Sequence, residues 1–427
     1  MTKTYGTGIW DDMHYYFEGY NDHMMHASMH FDGHIDEVVL TKAYSQLTAV
    51  LPILKSVFKF TDKQSYWQEM DKYNPADWIQ IKNSENFEEE VDAFLCKKIE
   101  QGAEAQMKIL IVRGKDKDAM GIILNHQVMD GACFKKAVNM LADTYTKLLS
   151  DPNYKLVFVD KDRSFKQIYK DMDLATKLKV WTMFQQSSSV KGKTGFPFET
   201  MDKSKMSPYI NKYRLSSDKF LQIKAYGKAN GYSINDMLMA CYIMSLFDIL
   251  NMPKDENLEL DMIIDLRRYI KDPDSLGFSN YVSTTRCTQN KMECPTLKET
   301  LMQFKEKNTV TMSNMPGHSG VSRLFLGFGL FGFKKAHKVV LSNFNNPLIA
   351  TSNIGIVKFN NFGALKFEDC YMTGSIKIPP YMQLALTTFN NAITFTMAQW
   401  STDADRKFIA KFFEIFGGYL NEMADMK

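Results

Sequence analysis

One segment in the first third of the chain limits the possible folds more than any other, because it joins two buried strands, a tight loop and a long helix. Residues 107–113 and 120–125 are rich in β-branched and other apolar residues, and a polar turn at Gly114–Asp118 separates them. From Gly131 to Leu149 apolar residues recur at helical spacing, which predicts a helix. The sequence therefore predicts a layered α/β arrangement in which the loop before this helix is held at both ends.

This loop carries the residues best suited to chemistry, and it reads Asn-His-Gln-Val-Met-Asp-Gly from Asn125 to Gly131. A histidine at the end of a strand is held rigidly, and a neutral imidazole accepts a proton near neutral pH, so His126 is a candidate general base. The alternative for His126 is a structural histidine that bonds only its own loop. Asp130 could orient the ring or fix the loop through an ion pair with a distant arginine, and the residues alone favour neither role.

The pattern His-x-x-x-Asp-Gly at 126–131 resembles the signature of the acyltransferase superfamily related to chloramphenicol acetyltransferase. This superfamily includes condensation domains of nonribosomal peptide synthetases, polyketide-associated acyltransferases, wax-ester synthases and alcohol acetyltransferases. Residues 31–58 resemble its opening strand, helix and strand. Asp-Leu-Arg-Arg at 265–268, followed by Gly277–Asn280, resembles its Asp-x-Arg segment, and Ser-Asn-Ile-Gly at 352–355 resembles its Ser-Asn loop.

The resemblance covers nearly the whole chain, with two departures. Asn125 stands where condensation domains usually carry a second histidine before the catalytic one. The Asp-Phe-Gly-Trp-Gly motif of the plant acyl-CoA-dependent acyltransferases, another branch of the superfamily, is missing, with only Phe362-Gly363 in its neighbourhood. Both departures disfavour those branches and leave the superfamily assignment in place.

The resemblance also implies the architecture, an α/β (layered α+β) fold whose two similar sheet-and-helix halves form a pseudo-dimer around a central cleft or tunnel. We expect residues 1–150 to form the N-terminal half with the histidine loop, 151–207 a crossover linker, and 208–427 the C-terminal half. The glycine- and phenylalanine-rich stretch 312–346 is predicted to be irregular. Within it, residues 325–333 could line an acyl or acceptor channel or belong to the core.

The activity that the resemblance implies is acyl transfer to a small-molecule alcohol or amine. His126 would remove the acceptor proton as the acceptor attacks an acyl thioester, without an acyl-enzyme intermediate. Acyl-CoA is the expected donor, as a co-substrate, and no permanently bound cofactor is expected. One alternative is a donor carried on an acyl carrier protein supplied in trans. Another is a relative that keeps the fold and binds a ligand without turnover.

The resemblance assigns roles to further residues. Asp130 would turn away from the reacting centre and pair with Arg267, with Asp265 in support, and so brace the two halves against each other. Ser352 and Asn353 could donate hydrogen bonds to the oxyanion that develops in the transition state, or they could only shape a turn. Both readings stay open at this point.

Composition excludes several other classes of protein. A net charge of +3 on 427 residues, without a dense basic tract, does not indicate a basic surface that binds nucleic acid. Six scattered cysteines without a Cys-x-x-Cys pair suggest reduced thiols in the cytoplasm. The most apolar stretch, Leu324–Phe333, is too short to span a bilayer, and the N-terminus lacks an apolar signal core.

A metal site is not expected, although histidines cluster early in the chain. No carboxylate or cysteine completes a recognisable ligand spacing with them. The clustered histidines are His14, His23, His26, His30 and His34.

Overall fold

The structure of the chain, a computed structural model, describes residues 2–183, 195–342 and 347–426. The first 150 residues contribute these elements in chain order: β1 (Thr4–Gly6), α1 (Ile9–Tyr16), β2 (Met24–Phe31), α2 (Glu37–Val50), β3 (Ser56–Phe60), β4 (Ser65–Glu69), β5 (Ile79–Asn83), α3 (Phe87–Leu95), β6 (Met107–Arg113), β7 (Asp118–Asn125) and α4 (Gly131–Ser150).

The later residues contribute these elements: α5 (Leu174–Thr182), β8 (Ser207–Leu215), α6 (Ser217–Asn230), α7 (Ile234–Ile249), β9 (Asn257–Asp265), β10 (Val282–Asn290), α8 (Leu297–Ser313), α9 (Val321–Ser342), β11 (Ile349–Ile356), β12 (Phe367–Thr373), β13 (Met382–Phe389), β14 (Ala392–Ser401) and α10 (Asp403–Asp425). The expected fold class, a mixed α/β protein with two sheet-and-helix lobes, is confirmed.

The N-terminal lobe is built on a five-stranded sheet in the order β12-β2-β7-β6-β5. Its central strands β2 and β7 are almost completely buried, because α2 and α4 cover one face and α3 covers the other. Strand β12 comes from the second half of the sequence and pairs antiparallel with β2, with Tyr371 opposite Ser28. The two halves are therefore joined through the sheet itself. A small sheet, β1-β4-β3, lies in the same lobe.

The C-terminal lobe is built on a six-stranded sheet in the order β10-β9-β11-β13-β14-β8. One face of it packs against α7, α8 and α10, whose apolar residues form a second core. Helix α7 is buried around nearly its whole circumference, since it also contacts α8 and α10. An all-round apolar helix of this kind is expected only in the interior of a layered lobe.

The described part of the 151–207 segment packs against both lobes, with Phe165 against Trp10 of the N-terminal lobe. Residues 184–194 of it lie outside the described residues. Phe165, Ile168 and Val180 are buried in a small core that also contains Leu266 and Tyr281. The described part of this segment therefore packs between the lobes.

The prediction of irregular structure at 312–346 is wrong for most of that stretch, because α9 occupies Val321–Ser342. Glycine lowers helix propensity, but buried aromatic contacts offset that cost. Phe328 stacks on Tyr16 with ring centres 5.5 Å apart, and Phe333 is buried. Gly332, at φ +68°, interrupts the helical backbone. No helix in the described ranges is both long and apolar enough to cross a membrane.

Candidate active site

The histidine loop lies between β7 and α4, as the sequence predicts, and its backbone is fixed on both sides of His126. The His126 N–H donates to the His23 carbonyl at 2.7 Å. The Asn125 side chain donates to Gln106 Oε1 at 2.8 Å and accepts from the Gln127 N–H at 2.9 Å. His126 is half-buried as a residue. The loop backbone is therefore held rigidly around it.

The amide of Asn280 fixes the tautomer of His126. Its Nδ2 donates to the carbonyl oxygens of His126, at 2.8 Å, and Gln127, at 3.2 Å, so the amide nitrogen faces the loop backbone. Its Oδ1 then lies 2.9 Å from Nδ1 of His126, and an amide oxygen can only accept. Nδ1 therefore carries the hydrogen, and Nε2 keeps the lone pair that a general base requires.

The segment Gly277–Asn280 is held in place by Arg163 from the 151–207 segment. Arg163 donates to the Phe278 carbonyl at 2.7 Å and to the Val128 carbonyl at 2.8 Å, so one guanidinium ties this segment to the histidine loop. It also lies 3.4 Å from the buried carboxylate of Asp11. No sequence pattern points to Arg163, because its partners, two backbone carbonyls and the Asp11 carboxylate, are brought together only by the fold.

Two further basic groups, His14 and Lys377, lie around His126. The His14 ring, on α1, lies 4.4 Å from the His126 ring between centres and 5.5 Å from the His23 ring. Lys377 pairs through its backbone with Asn21, two residues before His23, and with Gln399 of β14. The candidate site therefore brings together the imidazoles of His14, His23 and His126, and Lys377 of the second half acts on His126 electrostatically.

The electrostatics of this cluster keep the imidazoles neutral. Burial is the main reason that the pKa values of His14, His23 and His126 lie below the ordinary value, and the Lys377 ammonium adds to the effect. Burial also lowers the pKa of Lys377 to about 8, with the carboxylate of Asp22 acting in the opposite direction. His126 is therefore present as the free base at neutral pH.

Asp130 and Arg267 form a buried, bidentate ion pair. Arg267 Nη1 and Nη2 lie 2.9 and 3.0 Å from the two Asp130 oxygens, and Asp265 accepts from the same guanidinium at 3.1 Å. Asp130 also accepts from the backbone N–H groups of Cys133 and Tyr281, at 3.1 and 2.7 Å. Burial alone would raise the pKa of Asp130, but these partners outweigh it and hold the pKa below its usual value. The pairing expected from the resemblance is present.

Gly131 and Cys133 lie in the first turn of α4, directly after Asp130. A Cβ at Gly131 would meet only Ile354, at 3.8 Å, which is an ordinary contact. Burial raises the pKa of Cys133 to about 12, so its thiol is a poor nucleophile.

The Ser352–Asn353 segment lies on β11, and no hydrogen bond among the described residues joins it to His126. Asn353 accepts from the Gly355 N–H at 3.0 Å, and Gly355 has φ +82°. Asn353 therefore shapes the bulge within β11, where the register with β13 shifts between Asn353 and Gly355. Lys135 of α4 donates to the Ile354 carbonyl at 2.8 Å, which places this bulge against the start of α4.

The early histidines are distributed over several contacts. His26 lies 3.0 Å from the Gly374 carbonyl, and His34 lies 2.9 Å from Asp118. Within the described parts of the chain, no group of three histidine, cysteine, aspartate or glutamate side chains is placed to hold a metal ion.

Comparison with solved structures finds the same fold at low sequence identity. The trichothecene 15-O-acetyltransferase from Fusarium sporotrichioides aligns with a TM-score of 0.73 and 11% identity, covering 99% of this chain and 96% of that chain. Polyketide synthase associated protein 5 from Mycobacterium tuberculosis gives a TM-score of 0.65 and 13% identity, covering 98% and 99%. The first condensation domain of the CDA synthetase gives 0.70 and 12%, covering 99% and 98%. Comparison with curated protein sequences gives no match.

This chain therefore shares its overall fold with these three proteins. The family model of the condensation domain matches residues 13–251, more than half of the 427 residues. The chain therefore belongs to the condensation-domain family, although Asn125 stands where condensation domains usually carry a second histidine.

Proposed function

We propose that this protein transfers an acyl group from a thioester to an amine or alcohol, with His126 as the general base. Membership of the condensation-domain family supports an acyl-transfer or condensation type of activity. The observation that carries the proposal is the tautomer of His126, whose Nε2 is left as an acceptor by the contact between Nδ1 and Asn280.

In the proposed reaction, Nε2 of His126 removes the proton from the attacking amine or hydroxyl group. The attack on the thioester carbonyl gives a tetrahedral oxyanion, which collapses and expels the thiolate. Two candidates could stabilise that oxyanion. Ser352 and Asn353 are suggested by the resemblance, whereas Lys377 is suggested by its electrostatic influence on His126. The raised pKa of Cys133 favours direct transfer over an acyl-enzyme on that thiol.

The donor is proposed to be acyl-CoA, with an acyl carrier protein as the second candidate. The trichothecene 15-O-acetyltransferase among the structural neighbours supports acyl transfer to a small-molecule acceptor. The condensation domains among them favour a donor held on a carrier protein. Both donors present the same thioester to His126, so the proposed chemistry is the same for each.

The test is acceptor-dependent release of thiol. Acetyl-CoA and longer acyl-CoA thioesters are incubated with a panel of alcohols and amines, and free CoA and the acylated product are measured. A parallel arm uses an acyl group on a phosphopantetheinylated carrier protein. We expect release that requires both donor and acceptor, and intersecting double-reciprocal lines when both are varied.

Two results would contradict this proposal. Parallel double-reciprocal lines together with an acyl adduct on the protein would show a covalent intermediate. Binding of CoA without turnover of either donor, across the acceptor panel, would instead favour the non-catalytic ligand-binding relative.

A further inference from the structure

Helix α5 exposes a row of large apolar side chains. Leu174, Leu178 and Trp181 are spaced by four and three residues, so they lie on one face of the helix. Leu174 is 73% exposed and Leu178 is 60% exposed, and Trp181 is also exposed. Val180 is buried in the small core, and Trp181 borders that core through Tyr169 with ring centres 6.4 Å apart, whereas Leu174 and Leu178 remain mostly exposed.

Helix α9 exposes a second apolar row beside the first. Leu326 and Leu330, one turn apart, are 58% and 77% exposed, and Phe331 is also exposed. The two helices are in contact, and the ring of Trp181 stacks on that of Phe325 with centres 6.0 Å apart. We call the surface formed by six of the exposed apolar side chains of these helices the α5–α9 face, namely Leu174, Leu178, Trp181, Leu326, Leu330 and Phe331.

The charge of these two helices is entirely positive. Neither α5 nor α9 contains an aspartate or glutamate. Lys179, Lys335 and Lys338 are exposed, and no ion pair within the described ranges involves them. Lys334 pairs with Asp62. Exposed ammonium groups without an ion pair among the described residues therefore accompany the projecting apolar side chains on the same two helices.

Exposed leucines that project from a surface fit a bilayer better than a protein partner. A protein would have to present a matching groove for each projecting side chain, whereas lipid headgroups and acyl chains rearrange around any shape. Leucine, phenylalanine and tryptophan enter the interface, and lysines contact anionic headgroups, each contributing to binding. We propose that the α5–α9 face docks on an anionic phospholipid bilayer.

The proposed contact lies close to the active site through a short chain of packed elements. Helix α9 packs on α1, where Phe328 stacks on Tyr16, and α1 also carries His14, whose ring lies against that of His126. The face is therefore separated from the catalytic histidine by one helix. This surface does not depend on the proposed acyl transfer, and its test uses no activity assay.

The test is sedimentation of the full-length protein with vesicles. One set contains phosphatidylcholine alone, and the other contains about a quarter phosphatidylglycerol. We expect binding to the anionic vesicles that weakens as salt is added, because charge attraction is screened. The double variant Leu178→Glu/Leu330→Glu should bind roughly tenfold more weakly or worse, because it places carboxylates in the contact.

Matched controls lie on α6, in the C-terminal lobe. Leu221 is an exposed helical leucine, at 44%, so Leu221→Glu adds the same charge away from the α5–α9 face. The charge of the lysines is tested in the same way. Vesicle binding of the α9 variant Lys335→Glu/Lys338→Glu is compared with that of the α6 control Lys224→Glu/Lys228→Glu, whose two lysines are also exposed. We expect both α6 variants to bind nearly as wild type. Circular dichroism melting confirms that each variant is folded.

Three outcomes would overturn the proposal. The first is that folded wild-type protein does not sediment with anionic vesicles at low salt. The second is that the α5–α9 variants and the α6 variants lose binding equally, which would show a general effect of charge. The third is unchanged vesicle binding in the α5–α9 variants together with lost binding to an acidic carrier protein, which would assign the face to a protein partner.

Discussion

Asn280 determines which nitrogen of His126 is available, and this makes it the most informative single residue after the histidine. Asn280→Ala removes the acceptor for Nδ1–H and both donors to the loop carbonyls. We expect kcat to fall roughly tenfold to a hundredfold with a smaller change in KM, because the ring is freed to adopt the other tautomer. Steady-state kinetics of thiol release measure this, and an unchanged kcat would mean that the amide does not orient the base.

Lys377 is predicted to set the lower pH limit of activity. Burial lowers the pKa of His126, and the Lys377 ammonium lowers it further. Removing that charge in Lys377→Met should raise the pKa of His126, so the acid limb of the kcat/KM profile should move to higher pH. Lys377→Arg keeps the charge and should leave the limb near its wild-type position. A limb that stays in place in Lys377→Met would show that the ammonium does not act on His126.

At the scale of elements, the segment that carries Asn280 depends on a close approach at Gly277. A Cβ at Gly277 would lie 2.2 Å from the backbone oxygen of Lys161, so Gly277→Ala must displace the segment. We expect a loss of roughly 1–3 kcal/mol in the free energy of unfolding, and reduced turnover because Asn280 moves. Gly131→Ala is the matched control, since its Cβ meets only Ile354 at 3.8 Å. Denaturant unfolding of both variants measures the difference. Equal stability of Gly277→Ala and Gly131→Ala would contradict the close approach of Gly277 to Lys161.

The elements that the sequence predicts well are those specified by local pattern. The buried strand and the helix on either side of His126 follow from apolar periodicity, and Asp130 caps α4 by accepting from the Cys133 N–H. Helix α9 escapes prediction because its glycines argue against a helix, while the contact of Phe328 with Tyr16 is invisible in the local sequence. In α9, tertiary packing stabilises a helix that the low helix propensity of glycine disfavours.

The residues of the candidate site also fall into two groups, those that the sequence predicts and those that only the fold reveals. His126 and its loop are visible in the sequence, and the Asp130–Arg267 pair follows from a family resemblance. Asn280 lies in a segment that the resemblance marks, but its hydrogen bonds to the loop could be read only from the fold. The contacts of His14 and Arg163 had no sequence signal, since each joins parts of the chain that only the fold brings together.

The Asp130–Arg267 ion pair is predicted to hold the two lobes of the molecule together. Removing one partner leaves a buried charge uncompensated, so Arg267→Ala should lose roughly 3–5 kcal/mol of unfolding free energy and lower activity. A double-mutant cycle with Asp130→Ala should show strong coupling. The control cycle uses Lys136 and Asp274, an exposed pair that also joins α4 to the C-terminal half at 3.3 Å, and little coupling is expected there. Additive losses for Asp130 and Arg267 would contradict the bracing role.

His126→Ala measures whether His126 is the base of an acyl transfer, and His14→Ala is the control at the neighbouring imidazole. The measurement is the rate of acceptor-dependent thiol release, alongside thermal unfolding and donor binding. We expect His126→Ala to lose on the order of a hundred- to ten-thousand-fold in rate, with folding and donor binding nearly unchanged. His14→Ala should lose much less. Near wild-type turnover in folded His126→Ala would contradict the account.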